Sequence, residues 1–251
     1  MFEYEHGVPW RGMVSSAEPD QAAIEPPWWR PPRPSRRRSP LTREQIIEAA
    51  LRVIDAEGAD ALTVRRLGEE LNTGSATLYW YISGKDELGE LVYDHVMGGI
   101  ELPEPDPRRW EEQFKDLGRQ AYRLLVAHND LVRLALGRVP VGPNMLRVME
   151  WTLGLLNAAG LPDHAVRYAG SMLARYVDAS VLQATTNGGP PPDAVGRYFA
   201  SLPSDQFPNL ASLQRGPFEL DVDARFDFGL DVLIRGLASF VSPAPKRSMR
   251  R

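Results

Sequence analysis

Four side chains with hydrogen-bonding or stacking chemistry lie within five residues of this chain: Thr77, Tyr79, Trp80 and Tyr81. A helix turns by about 100° per residue, so these side chains cannot all face one core. Thr and Tyr hydroxyls suit phosphate oxygens, and a Thr methyl group suits the methyl group of thymine. The cluster therefore predicts a short helix whose outer face contacts DNA. A solvated helix face is the alternative, and for Trp80 so is a position mainly in the core.

Helix signals around the cluster predict the elements that hold it. Thr42 and Gln45 form a capping box at the start of a first helix, and Gly58 ends that helix with a left-handed cap. Thr63 is the expected N-cap of a second helix, and Asn72 tolerates the left-handed conformation that a tight turn needs.

The cluster itself falls on a third helix, predicted over residues 75–81 with Leu78 facing the core. Ser83 and Asp86 predict another capping box, which opens a fourth helix to about residue 100. Two short helices joined by a tight turn have the form of a helix-turn-helix.

The remaining sequence predicts long helices and no strands. Apolar periodicity indicates helices over residues 107–127, 131–136, 144–159, 162–186 and 224–241. The 144–159 helix is apolar on nearly every face, which predicts a central position. The Gly/Pro-rich segment 187–221 is expected to be a connector with one turn near residues 195–200.

The predicted fold class is all-α, with two domains after an N-terminal arm. Residues 1–40, rich in Pro and Arg, are expected to be a disordered arm. Residues 41–87 would form a three-helix helix-turn-helix DNA-binding domain, and residues 88–251 a helical ligand-binding and dimerisation domain.

Composition narrows the class of protein. The 251 residues contain no cysteine, so disulfides and thiolate metal or redox chemistry are excluded. The four histidines are far apart, and no apolar run reaches the roughly 18 residues that span a bilayer. We therefore expect no metal, no cofactor, no membrane association and a cytoplasmic location.

The charge balance does not by itself indicate a nucleic-acid binder. The net charge is −4, and residues 41–86 carry five basic side chains against eight acidic ones. Backbone N–H groups and hydroxyls can contact phosphates without adding charge. In addition, residues 30–38 contain five arginines and no acid, and such an arm can enter a minor groove. A merely solubilising tail is the alternative.

Two segments carry a family resemblance. IIEAALRVIDAEG and LTVRRLGEELNTGSATLYWYISGKDEL, within about 50 consecutive residues, resemble the N-terminal domain of TetR-type transcriptional regulators. TLYWY…K resembles the recognition helix of the tetracycline-repressor subgroup, and FDFGLDVLIRGL resembles its last helix. That family usually has Gly at position 72, often Pro at 76 and often His or Phe at 81. Asn, Ala and Tyr stand there in this chain, and the last two differences bear on base preference and not on the fold.

The resemblance implies a homodimeric repressor of a double-stranded DNA operator, released by a small-molecule effector, and not an enzyme. By motif position, the following residues are expected to meet DNA: Thr63, Arg65, Ser75, Ala76, Thr77, Tyr79, Trp80, Tyr81 and Lys85. The helices near 165–184 and 224–241 are the expected dimer interface, since small residues and an apolar stripe let helices approach closely.

Large apolar side chains on three C-terminal helices predict a pocket for an apolar or aromatic effector. The expected lining residues are Trp110, Phe114, Met149, Trp151, Met172 and Tyr176; a plain core role is the alternative for each. Glu150 and Asp178 lie in apolar sequence surroundings, and a buried acid needs a partner. Arg147 is one candidate partner of Glu150, and a cationic or hydroxylated ligand is the other kind of partner.

Other functions remain open at the level of sequence. An activator or a ligand-independent DNA binder would have the same fold. An all-α enzyme is a further alternative, although the chain has no histidine pair, no Gly-rich phosphate loop and no evident nucleophile–base arrangement.

Overall fold

The N-terminal helices begin where local hydrogen bonds predict. The computed structural model describes residues 41–128, 130–135, 141–185, 192–212 and 222–241, so the predicted N-terminal arm lies outside the described residues. Helix α1 is Arg43–Glu57. Its capping box is confirmed: the Gln45 N–H donates to Thr42 Oγ1 at 3.2 Å, and the Thr42 N–H donates to Gln45 Oε1 at 2.8 Å. Gly58 has the predicted positive φ of 87°, but its ψ of 165° lies outside the left-handed helical region.

The helix-turn-helix follows as α2 (Val64–Glu70) and α3 (Ser75–Leu78). Thr63 caps α2 by accepting the Arg66 N–H at 3.0 Å, and Asn72 adopts a φ of 48° in the turn, both as predicted. Helix α3 is shorter than the predicted 75–81, and turns continue it to Tyr81. Leu78 is fully buried and anchors α3 to the core.

The predicted capping box of the fourth helix is wrong. Helix α4 is Lys85–Met97, and its N-cap is Gly84 instead of Ser83. Because the helix begins one residue later than predicted, the Glu87 carboxylate accepts the Ser83 N–H, at 2.8 Å.

The C-terminal part contains seven described helices. They are α5 (Trp110–Ala127), α6 (Leu131–Ala135), α7 (Pro143–Ala158), α8 (Asp163–Thr185), α9 (Pro192–Ala200), α10 (Pro208–Ser212) and α11 (Val222–Ala238). The predicted single turn within the connector is therefore incomplete, since α9 and α10 both form there. The central position predicted for α7 is also wrong in part. Its Val148 face is buried, but Met149 and Leu153 lie on the surface of the subunit.

One continuous apolar core extends from Ile46 to Leu237 through the buried faces of these helices. Helix α4 occupies its middle and packs against α1, α5, α6 and α7. The predicted domain boundary after residue 87 stays a prediction. Among the described residues, no helix has the length and apolar character to cross a membrane.

Helices α5, α8 and α11 are joined by an aromatic stack. The Phe226 ring lies between Tyr122 and Tyr176, with centroid distances of 4.1 Å and 5.4 Å. The Tyr176 hydroxyl donates to the Phe226 carbonyl at 2.8 Å. Gly229 lies so close to this hydroxyl that a Cβ atom would overlap it, so the close approach of α8 and α11 requires glycine there.

Candidate nucleic-acid interface and effector cleft

Helix α3 and the turns that continue it to Tyr81 present an aromatic face to solvent. The side chains of Tyr79 and Trp80 are 51% and 59% exposed, although soluble proteins usually bury large aromatic rings. The alternative of a core position for Trp80 is therefore wrong. Tyr81 is half-buried and packs against the core, while Ala76 is exposed and Ser75 and Thr77 are partly exposed. The third helix thus offers hydroxyls, a methyl group and indole to a partner.

The other predicted DNA-contact residues flank this face. Arg65 is exposed on α2 and pairs with Glu69 at 3.1 Å, one helical turn away. Thr63 accepts the Arg66 N–H, which leaves its hydroxyl hydrogen available as a donor. Lys85 is the first residue of α4, where free N–H groups and the helix dipole favour an anion.

Glu57 and Glu70, two acidic side chains of residues 41–86, form ion pairs with arginines of the same region. The Arg66 guanidinium donates to Glu57 at 2.9 Å and to Glu70 at 3.1 Å, and Arg52 lies 3.4 Å from Glu70. The Arg66 hydrogen bond lowers the pKa of Glu57, and the hydrogen bonds to Glu57 and Glu70 raise the pKa of Arg66. Arg66 therefore pairs with acids within the protein instead of with DNA, and these ion pairs leave the net charge of the region unchanged.

Sequence reasoning missed a buried carboxylate that connects α4 to α7. Asp94 is only 3% exposed, and its carboxylate accepts the N–H of Met145 at 2.9 Å and the N–H of Asn144 at 3.3 Å. The Asn144 side-chain amide also donates to this carboxylate at 3.2 Å. Asp94 therefore supplies the N-terminal cap that Gly142 lacks, and a Cβ at position 142 would overlap its carboxyl group. An acid within the apolar stripe of α4 was the available sequence signal.

A second carboxylate connects α4 to α8. The Tyr93 hydroxyl on α4 hydrogen-bonds the carboxylate of Asp178 on α8. The Oδ1 atom of Asp178 is buried and has no hydrogen-bond partner within the described part of the chain. Burial raises the pKa of Asp178 to about 6. Glu150 is exposed, and its predicted partner Arg147 instead donates to the Ile100 carbonyl at 2.9 Å.

Replacing Asp178 with asparagine is expected to raise the free energy of unfolding near pH 7.5 by about 1–3 kcal/mol, because asparagine accepts the Tyr93 hydrogen bond without a desolvated charge. The folded pKa of about 6 exceeds the ordinary value of 3.8, so the folded protein binds more protons than the unfolded chain between these values. The stability of the wild type should therefore fall as pH rises from about 4 to about 6. Urea denaturation across this range measures the effect, and an Asp178→Asn variant less stable at pH 7.5 would contradict it.

Polar contacts also join the N-terminal helices α1 to α3, which we call the reading head, to the C-terminal helices. His128 Nδ1, just after α5, lies 2.8 Å from Asp55 Oδ1 near the end of α1. The Ala59 N–H donates to Asp130 Oδ2 at 2.9 Å. His128 at the end of α5 and Asp130 just before α6 therefore hold the end of α1 and the residues after it.

A cleft of about 420 Å³ opens between α5, α7 and the segment that follows α4. Its lining residues are Glu101, Leu102, Pro103, Gln113, Asp116, Leu117, Gln120 and Trp151. The volume is within the range of small-molecule sites. Within the described residues, no group of three or more His, Cys, Asp or Glu side chains is arranged to hold a metal ion.

The structure does not bring the six predicted effector residues together. Trp151 lines the cleft, whereas Trp110 and Phe114 are buried in the core. Met149 and Met172 lie on the outer surface, and Tyr176 donates its hydroxyl to α11 as described above. Apolar periodicity alone cannot separate core, pocket lining and exposed surface, because all three use the same side chains.

A helix-turn-helix with an exposed reading face, joined to a helical body with a cleft, defines a DNA-binding transcriptional regulator. Residues 46–92 match the family described as bacterial regulatory proteins, tetR family. Residues 102–241 match the tetracyclin repressor-like C-terminal domain. The chain therefore belongs to the TetR family of transcriptional regulators and is not an enzyme.

Individual relatives agree with this assignment. Apo ActR from Streptomyces coelicolor has 43% sequence identity and a TM-score of 0.76, over 82% of this chain and 100% of that chain. ActR has also been solved in complex with actinorhodin, with the same identity, coverage and TM-score. The transcriptional repressor DrrR1 of Streptomyces coeruleorubidus is 32% identical over 84% of this chain and 82% of its own length.

Proposed function

We propose that this regulator is a homodimeric repressor that binds a palindromic operator and leaves it when a small apolar or aromatic molecule binds. The observation that carries the proposal is the outward aromatic face of α3, which is fixed from behind by buried Leu78. Exposed Tyr and Trp side chains on a well-anchored helix have the form of a recognition surface. Thr63, Arg65 and Lys85 would add contacts on both sides of that surface.

Two helices supply a surface for dimerisation. Large apolar side chains are exposed on α8, at Tyr168 and Met172, and on α11, at Phe228 and Val232. The opposite faces of both helices are buried in the subunit's own core. Pairing α8 and α11 with their copies would bury this apolar surface in a four-helix interface.

The dimer gives ligand binding a means of changing DNA affinity. Two reading helices fit successive major grooves only when they are about 34–36 Å apart. An effector that favours another separation shifts the population by its differential affinity for the two states. Helix α4 is suited to transmit the change, since Tyr93 and Asp94 tie it to α8 and α7. The ActR complex with actinorhodin supports the proposal that this chain also binds a small-molecule effector.

Removing hydroxyls from α3 and from the turn after it tests whether this surface contacts the operator. The variants Tyr79→Phe and Thr77→Val preserve side-chain shape, and each is expected to weaken operator binding by about 1–3 kcal/mol because a phosphate or base contact is lost. Binding to DNA from the chain's own upstream region is measured by fluorescence anisotropy at fixed salt.

Tyr198→Phe provides the matched control, since Tyr198 is an exposed tyrosine on α9, outside the helix-turn-helix. Its operator affinity should equal that of the wild type. Wild-type affinity in both α3 variants would exclude α3 as the reader. Transcription from the upstream promoter should rise when the gene is deleted, and a fall would indicate an activator.

The arginines of the N-terminal arm provide a separate test. Deleting residues 1–38 should leave folding intact, because the capping box of α1 begins at Thr42. If the arm contacts phosphates or the minor groove, operator affinity falls, and the slope of log K against log salt shrinks by about 0.9 for each lost phosphate contact. A salt slope equal to that of the full chain would show that the arm makes no such contact.

A further inference from the structure

Two neighbouring arginines of α2 differ in how many of their donors the protein itself uses. Arg66 donates from Nε to Glu57 at 2.9 Å and from Nη2 to Glu70 at 3.1 Å, and its side chain is only 29% exposed. Arg65 donates from Nε to Glu69 Oε1 at 3.1 Å. The Arg65 side chain is 88% exposed and has no other hydrogen bond or ion pair among the described residues. Both Nη atoms of Arg65 therefore remain available to a partner outside the subunit.

The two Nη atoms of a guanidinium form a planar fork of donors. In the major groove, guanine presents its O6 and N7 acceptors side by side, and arginine binds them with two hydrogen bonds. A phosphate oxygen also accepts arginine, but a phosphate carries no sequence information. The surroundings of such an arginine therefore decide whether it reads sequence or binds the DNA backbone at any position.

The stability of α2 does not account for the pair of Arg65 with Glu69. Both side chains are largely exposed, and solvent and salt screen the attraction between such charges. Their order along the helix is also unfavourable. The cation lies towards the N-terminus of α2 and the anion towards its C-terminus, so both charges oppose the helix dipole. The pair is better explained by what Arg65 does outside the subunit.

We propose that Glu69 is a positioning residue that directs Arg65 to a guanine of the operator and away from phosphates. The Glu69 carboxylate restrains the Nε side of the guanidinium and leaves both Nη atoms for O6 and N7. It also repels an approaching phosphate, whereas a neutral base edge is not repelled in this way. The inference rests on the proposed contact of Arg65 with the operator, and it is independent of any effector and of the direction of regulation.

Selectivity between two DNA duplexes tests the proposal. One duplex is selected by the full-length wild type from a random-sequence pool, and the other is a scrambled duplex of the same length and composition. Affinities are measured by fluorescence anisotropy at several salt concentrations. Glu69→Ala should lower the ratio of the two affinities by about fivefold or more, at the lower end of what one bidentate base contact contributes. Alanine is a strong helix former, so α2 is retained.

Glu48→Ala is the matched control, because it removes the same charge from an exposed position of α1 in the same reading head. It should strengthen binding to both duplexes alike and leave their ratio unchanged. The salt dependence separates the two variants further. In Glu69→Ala the released Arg65 can bind a phosphate, so the salt slope for the scrambled duplex should steepen by about 0.9 for each phosphate gained. Glu48→Ala should keep the wild-type slope.

Arg65→Ala locates the effect in the guanidinium. Combined with Arg65→Ala, the Glu69→Ala change should have no further effect on the affinity ratio. Each guanine of the selected duplex is also replaced in turn by 7-deazaguanine, which lacks the N7 acceptor. At one or more positions this replacement should weaken binding of the wild type and leave binding of Arg65→Ala unchanged.

The outcomes distinguish this inference from the proposed placement of α2 on DNA. If Arg65→Ala binds the selected duplex like the wild type, Arg65 does not contact the operator, and both are wrong. If Arg65→Ala weakens binding but Glu69→Ala keeps the wild-type affinity ratio, or changes it no more than Glu48→Ala does, Arg65 contacts DNA and the role of Glu69 is overturned. The absence of any guanine whose N7 matters only when Arg65 is present would overturn the assignment of its target.

Discussion

Replacing Asp94 with alanine is expected to lower the free energy of unfolding by about 3–5 kcal/mol, because several partly buried donors lose the carboxylate that accepts their hydrogen bonds. The donors are the N–H groups of Asn144 and Met145 and the side-chain amide of Asn144, all within 3.3 Å of the carboxylate. Burial raises the pKa of Asp94 although these hydrogen bonds oppose the shift. Urea denaturation at fixed protein concentration measures the loss, since dimer formation would make stability depend on concentration.

Asp94→Asn separates the lost acceptor from the lost volume. Asparagine keeps one acceptor oxygen and a similar shape, so this variant should lose clearly less stability than the alanine variant. An unchanged denaturation midpoint for Asp94→Ala would show that water caps α7 equally well. A loss confined to operator binding, with full stability, would instead limit Asp94 to coupling between α4 and α7.

A charge on the outer face of α11 is expected to separate the subunits. Val232 is 54% exposed in the single subunit, so Val232→Arg leaves the subunit's own core intact. In a four-helix interface the same guanidinium would lose its hydration without a partner, which costs several kcal/mol. The dimer dissociation constant should rise by about 100-fold or more, measured by sedimentation equilibrium. Operator affinity should fall with it, because one subunit reaches only one half-site.

Val126→Arg is the matched control, because it places the same charge at a partly exposed valine on α5, outside the α8 and α11 faces. Its dimer constant should equal that of the wild type. Leu233, the next residue of α11, packs partly against the subunit's own core, so a charge there would also disturb folding. A folded Val232→Arg variant with a wild-type dimer constant would move the interface away from α11.

The class of fold and the reading head follow from interactions that are close in the sequence. A capping box joins residues three apart, as for Thr42 and Gln45, and the left-handed turn at Asn72 depends on that residue's own backbone. The 3.6-residue period placed Leu78 in the core, and the crowding of residues 79–81 required an aromatic ring to face outward. Such features can be predicted from the sequence because their energies depend on neighbours a few residues away.

The site in the C-terminal part was decided by contacts between distant residues. Asp94 meets Asn144 and Met145 about 50 positions away, and Gln113 and Trp151 bond the carbonyls of residues 104 and 103 from two different helices. Met149 and Met172 have the same apolar chemistry as core residues, yet packing leaves them on the outside. The sequence alone determined an all-α regulator with an exposed reading helix, because helix period and capping are local. Only the tertiary structure decided where the cleft lies and which side chains line it, because both depend on contacts between distant residues that folding brings together.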